Sequence, residues 1–134
     1  MERLNPELDM NQEAAYELQK KHWDNQPTTP SGMFDCHDKD GSLHEIDINF
    51  SVRVFNEHEH LLSSKAIALD IGAGIGRVTE AILGMVFDEI DILDQSPVQI
   101  EAAKKNVDYA SNFYCVGLQD HKFGDKHYNC IWIQ

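Results

Sequence analysis

The sequence predicts an α/β fold, the N-terminal part of a doubly wound parallel sheet of about four strands, preceded by a helical extension. Three observations predict it. From Lys65 onward, short apolar runs alternate with stretches of helical periodicity. A glycine-rich turn, Asp70-Ile71-Gly72-Ala73-Gly74-Ile75-Gly76, links the first run to the first helix of that series. An acidic residue, Asp94, ends the second run roughly one βαβ unit later.

Each element has its own signal. Residues 1–8 read as a frayed terminus. Asp9 to His22 then places Met10, Ala14 and Leu18 on one helical face, with Ala15 at its margin. Asn25 to Gly41, with Pro27, Pro30, Gly32 and Gly41, is dense in turn formers and reads as an ordered loop or lid, in which Met33 and Phe34 must pack somewhere. Ile46 to Leu62 spaces Ile46, Phe50, Val54 and Leu61 or Leu62 as a helix, against the preference of its β-branched residues. The run Ala66 to Ile71, ending at the glycine turn, has the texture of a buried parallel strand. Arg77 to Phe87 follows as a helix, Glu89 to Asp94 as a strand, Ser96 to Val107 as a helix and Asn112 to Val116 as a third strand. Tyr128 to Ile133 makes a fourth strand. The division expected is an extension over 1–64 and a half-domain over 65–134, forming one structural unit. Parallel topology puts ligands at the carboxyl ends of the strands, where the unusual residues lie.

Composition bounds the function. A chain of 134 residues supports one domain with a core, although a complete doubly wound sheet of this kind usually needs more. No stretch approaches the roughly 20 apolar residues of a membrane span, and the start lacks the layout of a secretory signal, so an intracellular protein with no membrane partner is expected. Cys36, Cys115 and Cys130 form no C-x-x-C pair, and the odd count argues for reduced thiols. A net charge of −12 without any Lys/Arg cluster disfavours nucleic acid. The acidity suits a cationic ligand such as a basic peptide, and equally a solvated surface.

In the glycine turn, residues without Cβ permit a tight bend and close approach of a ligand, and the next helix offers free N–H groups. A dinucleotide loop would read G-x-G-x-x-G, but Arg77 stands at the last position, which favours a nucleoside without a pyrophosphate. Asp94 is placed to accept hydrogen bonds from both ribose hydroxyls; its bland alternative is a helix cap before Ser96-Pro97. Gly117-Leu118-Gln119-Asp120, after the third strand, suits the edge of an adenine ring. Gln134 ends the fourth strand at the same edge, facing either cofactor or solvent.

Other constellations are set aside. Cys36-His37-Asp38-Lys39-Asp40-Gly41 begins like a calcium loop, but Asp47 stands where the bidentate Glu belongs. His58-Glu59-His60 has no metal-site spacing, and no metal is expected. No cysteine sits in a nucleophile pattern, since Cys115 and Cys130 fall within predicted buried strands.

The segments Ala68 to Arg77, Cys115-Val116-Gly117-Leu118-Gln119-Asp120 and Ile131-Trp132-Ile133-Gln134 resemble the alpha-N-terminal protein methyltransferases. His22-Trp23, Pro27-Thr28, Ser31-Gly32-Met33 and Ile46-Asp47-Ile48-Asn49 extend the likeness upstream, so that it covers most of residues 16–134. The resemblance implies a Rossmann-like class I methyltransferase fold, S-adenosylmethionine as cofactor, and the α-amino group of proteins beginning X-Pro-Lys or X-Pro-Arg as substrate. It implies that Gly72 and Arg77 meet the methionine part, Asp94 the ribose, Gln95 its neighbourhood, Leu118 and Gln119 the adenine, and Gln134 the methionine end. With Gly74, Gly76 and Ser96 these are the candidate cofactor residues. Trp23 would flank the substrate entrance, and Gly32, Met33 and Phe34 the peptide loop, where the family more often has Leu at the position of Phe34. Core packing for Trp23 and a salt bridge for Arg77 remain the plain alternatives.

The family's groups that hold and deprotonate the amine, an Asp, an Asn and a His, lie beyond the I-W-I-Q segment, so no catalytic residue is assigned within this chain. A long, apolar exposed edge carrying Trp132 and Ile133 is expected on the fourth strand. The expectation is therefore a fragment of an enzyme of this family; the alternatives are a catalytically inactive cofactor-binding or regulatory subunit whose edge a partner chain covers, and a remnant without function. Localisation in cytoplasm and nucleus follows from the resemblance alone.

Overall fold

The computed structural model describes residues 6–35 and 37–134. Residues 1–5 of the expected frayed terminus, and Cys36 with its thiol reading and the first position of the calcium-like loop, lie outside the described residues. Four parallel strands form one sheet in the order β3-β2-β1-β4: β1 is Ile67–Ile71, β2 Glu89–Asp94, β3 Asn112–Cys115 and β4 Cys130–Ile133. The chain steps outward from β1 to β3, then returns to pair β4 with the free side of β1, Ala68 opposite Cys130 and Ile71 opposite Ile133. That reversal is the switch point at which open α/β sheets bind ligands.

Central strands are buried on both faces, which is why β1 and β2 read as continuous apolar runs. The main core lies between the sheet and its helices. It joins Ala68, Ile90 and Ile92 to Val78, Ile82 and Leu83 of α3 (residues 77–86) and to Ile100 and Ala103 of α4 (Pro97–Asn106). Phe55 of α2 (Ser42–His58) enters it edge-on to Phe87. Leu83 and Ile92 are 0% exposed, and burial of such a side chain stabilises by about 1.5–3 kcal/mol. The other face of the sheet carries a smaller cluster of strand and loop residues, Leu69, Ile71 and Leu93 with Tyr114, Val116 and Tyr128.

Beside that cluster a carboxylate is buried in mid-strand. Asp91 of β2 is 0% exposed and accepts from Lys126 Nζ at 2.5 Å, Tyr128 Oη at 2.7 Å and Asn112 Nδ2 at 2.8 Å. Burial pushes its pKa up, but those three hydrogen bonds and the lysine charge outweigh it, and the net shift is downward. The cluster ties the segment before β4 to the sheet.

The helices depart from their predicted bounds for local reasons. The first, α1, runs Pro6–Asp24, so residues 6–8 are helical; Pro6 at its first position suits a ring-fixed φ. α2 begins at Ser42 because Asp38, 3% exposed, caps it: its carboxylate accepts from the N–H of Leu43 at 2.9 Å and His44 at 2.8 Å. Glu59–Leu61 is a separate 3-10 turn, another breaks the loop at Ser31–Phe34, and the middle of α3, Thr79–Leu83, is a π turn. Two expectations about strands are corrected. Cys115 is exposed and Cys130 half-buried, because both lie on outer strands. The outer strand β4 has four residues, and Trp132 packs against the main core, leaving Ile131 and Ile133 as its exposed side chains at 52% and 66%.

Candidate functional site

The turn after β1 has three glycines in the left-handed region, Gly72 at φ 69°, Gly74 at 56° and Gly76 at 89°, which L side chains rarely adopt. Its backbone is held from β2: Gly72 N and Ala73 N donate to the Leu93 carbonyl at 2.8 and 3.2 Å, and Gly74 N donates to Asp94 Oδ2 at 2.8 Å. The other Asp94 oxygen accepts from Ser96 N at 2.9 Å. A carboxylate has about four acceptor positions, so this one keeps capacity for a ligand's hydroxyls. Burial raises its pKa, against the backbone hydrogen bonds from Ser96 and Gly74.

Above these loops, at the carboxyl ends of the strands, lies a cleft of about 530 Å³. Among the sequence-predicted cofactor residues, Gly72, Gly74, Arg77, Asp94, Gln95, Leu118, Gln119 and Gln134 line it. Trp23, Met33 and Phe34 of the predicted substrate set form part of its wall. Gly76, Ser96 and Gly32 do not line it. A Cβ on Gly76 would stand 2.8 Å from Val107 Cγ2, so this glycine serves the packing of α3 near the end of α4. Ser96, 0% exposed, accepts from Gln99 N as the cap of α4 and donates to Asp24 Oδ1 at 2.5 Å, tying α1 to the sheet. Gly32 is buried against the Pro27 carbonyl, where no side chain fits, and so closes the turn that carries Met33 and Phe34.

Arg77 is the one cationic side chain among the lining residues. Its Nη1 donates to Asp47 Oδ2 at 3.0 Å and to His44 Nδ1 at 3.1 Å, both from α2, and its guanidinium lies 4.9 Å from the centre of the Phe34 ring. Gln134 Nε2 donates to Asp47 Oδ1 at 2.6 Å. Asp70, 2% exposed, accepts from Thr79 Oγ1 at 2.7 Å beneath the turn, and burial raises its pKa to about 6. Gln99, 1% exposed, donates from Nε2 to the Trp23 carbonyl and leaves its Oε1, a buried acceptor, without a partner among the described residues.

Sequence reasoning missed Asp47, Asp70, Gln99, Tyr16 and Gln19, all of which line the cleft. Asp70 carried a signal, as the first residue of the glycine motif; Gln99, Tyr16 and Gln19 carried none, because only the docking of α1 against α4 brings them to the rim.

A family model described as AdoMet dependent proline di-methyltransferase matches residues 11–134. Among curated relatives, an N-terminal Xaa-Pro-Lys N-methyltransferase 1 of Homo sapiens is 31% identical over 98% of this chain and 60% of the relative's length. The protein of that name from Xenopus tropicalis is 30% identical over 98% of this chain and 61% of its own. The chain thus spans about three fifths of the length of these relatives. Among solved structures, a SAM-dependent methyltransferase of Leishmania major superposes with a TM-score of 0.71 at 25% identity, over 87% of this chain and 46% of its own. The plantazolicin methyltransferase BpumL, solved with SAH, shares the fold with a TM-score of 0.63 at 23% identity, over 92% of this chain and 50% of its own. The fold is that of the SAM-dependent class I methyltransferases, and the chain belongs to the AdoMet dependent proline di-methyltransferase family.

Proposed function

We propose that the cleft binds S-adenosylmethionine and that the protein serves methylation of the α-amino group of protein N-termini of the X-Pro-Lys or X-Pro-Arg type. One arrangement carries the cofactor reading: a turn of three left-handed glycines, held through Gly74 N–H by the Asp94 carboxylate, with Arg77 as the cation of the cleft. The residues fit the group. Backbone without Cβ lets a flat nucleoside approach closely, Asp94 retains acceptor positions for ribose hydroxyls, and Leu118 and Gln119 offer an apolar surface and an amide to an adenine. The volume falls within the range of small-molecule sites, about 300–1,000 Å³.

When bound, the cofactor supplies a methyl group on a sulfonium. The chain's own residues hold and orient it, and Trp23, Met33 and Phe34 form the wall on the side where a peptide would enter. The net charge of −12 favours a basic peptide. None of the carboxylates lining the cleft is assigned as base: Asp47 is paired with Arg77, Asp70 with Thr79, and Asp94 with two backbone N–H groups.

Calorimetry of S-adenosylmethionine with the purified chain, with Asp94→Ala alongside and methylation of an X-Pro-Lys peptide assayed in parallel, tests both parts. Binding that Asp94→Ala abolishes supports the cofactor site; a folded chain that does not bind overturns it. Binding without methylation favours a second reading, a cofactor-binding subunit completed by a partner polypeptide. Its motivating observation is that the outer side of β4 pairs with no strand among the described residues, with Ile131 and Ile133 exposed. Sedimentation velocity across a concentration series checks for self-association through that edge.

A further inference from the structure

S-adenosylmethionine ends in an α-amino acid, a carboxylate beside an ammonium. Among the residues lining the cleft, one cationic side chain, Arg77, is available for the carboxylate. A guanidinium recognises a carboxylate best through two parallel N–H donors, which requires its plane to be fixed. An amide recognises an ammonium only through its oxygen, which requires that the amide not be turned over. Both requirements converge on Asp47.

Asp47 sits on α2 and divides its carboxylate between two partners. Oδ2 accepts from Arg77 Nη1 at 3.0 Å, and Oδ1 accepts from Gln134 Nε2 at 2.6 Å. With Nη1 engaged by Asp47 and His44, and Phe34 against the guanidinium, Nε and Nη2 of Arg77 have no protein partner among the described residues. One edge of the fork is thus left for a ligand. At Gln134 the carboxylate also fixes the sense of the amide, because the flipped form would set oxygen against oxygen. Its Oε1 remains as acceptor. The pair with Arg77 is partly exposed, 13% at the arginine and 22% at the aspartate. Ion pairs with solvent access add little to stability, so the larger effect of this carboxylate is on orientation.

The geometry points to Asp47 as a positioning residue that holds Arg77 and Gln134 in the orientation that receives the α-amino-acid end of the cofactor. This rests on the proposed cofactor reading of the cleft. Asp47 itself touches no part of the ligand in this role.

Two ligands separate orientation from general disruption: S-adenosylhomocysteine, and 5′-methylthioadenosine, the same nucleoside thioether without the amino-acid end. Both are titrated by calorimetry into the parent chain, Asp47→Ala and Asp47→Asn, with thermal melts by circular dichroism. The expected result for Asp47→Ala is S-adenosylhomocysteine affinity lower by about tenfold, the scale of one charge-assisted interaction, with 5′-methylthioadenosine affinity unchanged. Asp47→Asn keeps one acceptor without the charge and is expected to fall between. Equal losses for both ligands, unchanged S-adenosylhomocysteine binding, or tighter binding overturns the assignment. Should Asp47→Ala not fold, the same comparison in Asp47→Asn decides it. A parent chain that binds neither ligand overturns the cofactor reading itself, and with it this inference.

Discussion

Replacing Asp70 by asparagine is expected to reshape the pH dependence of stability. Asp70 lies beneath the glycine turn, 2% exposed, and burial lifts its pKa from the ordinary 3.8 to about 6, against a hydrogen bond from Thr79. The folded-state pKa is raised, so the protonated acid is the form that folding favours. Its contribution is fully present below about pH 4 and is lost as the pH rises to about 6, because the unfolded chain releases this proton first. Two pKa units at 1.36 kcal/mol each make that loss about 3 kcal/mol. The amide of Asp70→Asn has no such titration, while its Oδ1 still accepts from Thr79. The new amide N–H groups need partners, a pH-independent penalty of about 1–3 kcal/mol. Urea unfolding followed by tryptophan fluorescence between about pH 4 and pH 8 reads both effects. The stability of Asp70→Asn relative to the parent should rise by about 3 kcal/mol across that range, whatever its starting offset. Parallel curves, or a swing toward the parent, would refute the claim that Asp70 is a buried, strained acid.

Other perturbations test the supports of the site. Lys126→Met leaves Asp91 fully buried with only neutral donors; since Lys126 is itself 29% exposed, the loss should be about 2–3 kcal/mol rather than the larger figure for a wholly buried pair, and a loss under about 0.5 kcal/mol in urea would contradict it. Gly76→Ala combines a φ of 89° with a Cβ 2.8 Å from Val107 and should lower stability by about 2–4 kcal/mol, whereas Gly41→Ala, at φ 80° with open space around it, should lower it by only about 1–2 kcal/mol. Equal effects would mean that Val107 yields. Asp38→Ala removes both acceptors from the start of α2, with an expected loss of about 1–2 kcal/mol and a fall in helical circular dichroism; no change in either would remove its role as a cap.

Strands β1 and β2, the turn between β1 and α3, and Asp94 were legible because their signals are local: an apolar run, a glycine spacing, an acid at a strand end. What escaped was set by partners far apart in the chain. Asp91 looks like a surface residue in sequence, and its neutralisation by Lys126, 35 residues on, exists only once the loop folds over the sheet. Asp47 stood out in the sequence only as the last position of a rejected calcium loop and as part of the Ile46 to Asn49 likeness, and its role forms only when Arg77 and Gln134, 30 and 87 residues away, arrive at it. Ser96 carried the right neighbourhood and the wrong direction, since a helix-capping hydroxyl faces the helix and not the cleft. The start of α2 was misplaced because its cap, Asp38, lies ahead of the first apolar residue that periodicity can detect.

Strand order also has a kinetic consequence. β1 finds β2 within a single βαβ unit, but its bonds to Asn129 and β4 close a loop of 62 residues. Loop closure of that length adds little to the thermodynamic cost, since the entropy grows only with the logarithm of length, but it slows the search. Any stage of folding reached before β4 docks leaves the apolar edge of β1 open to another chain. The yield of refolding is then expected to fall as chain concentration rises, because docking of β4 competes with a bimolecular encounter at the same edge.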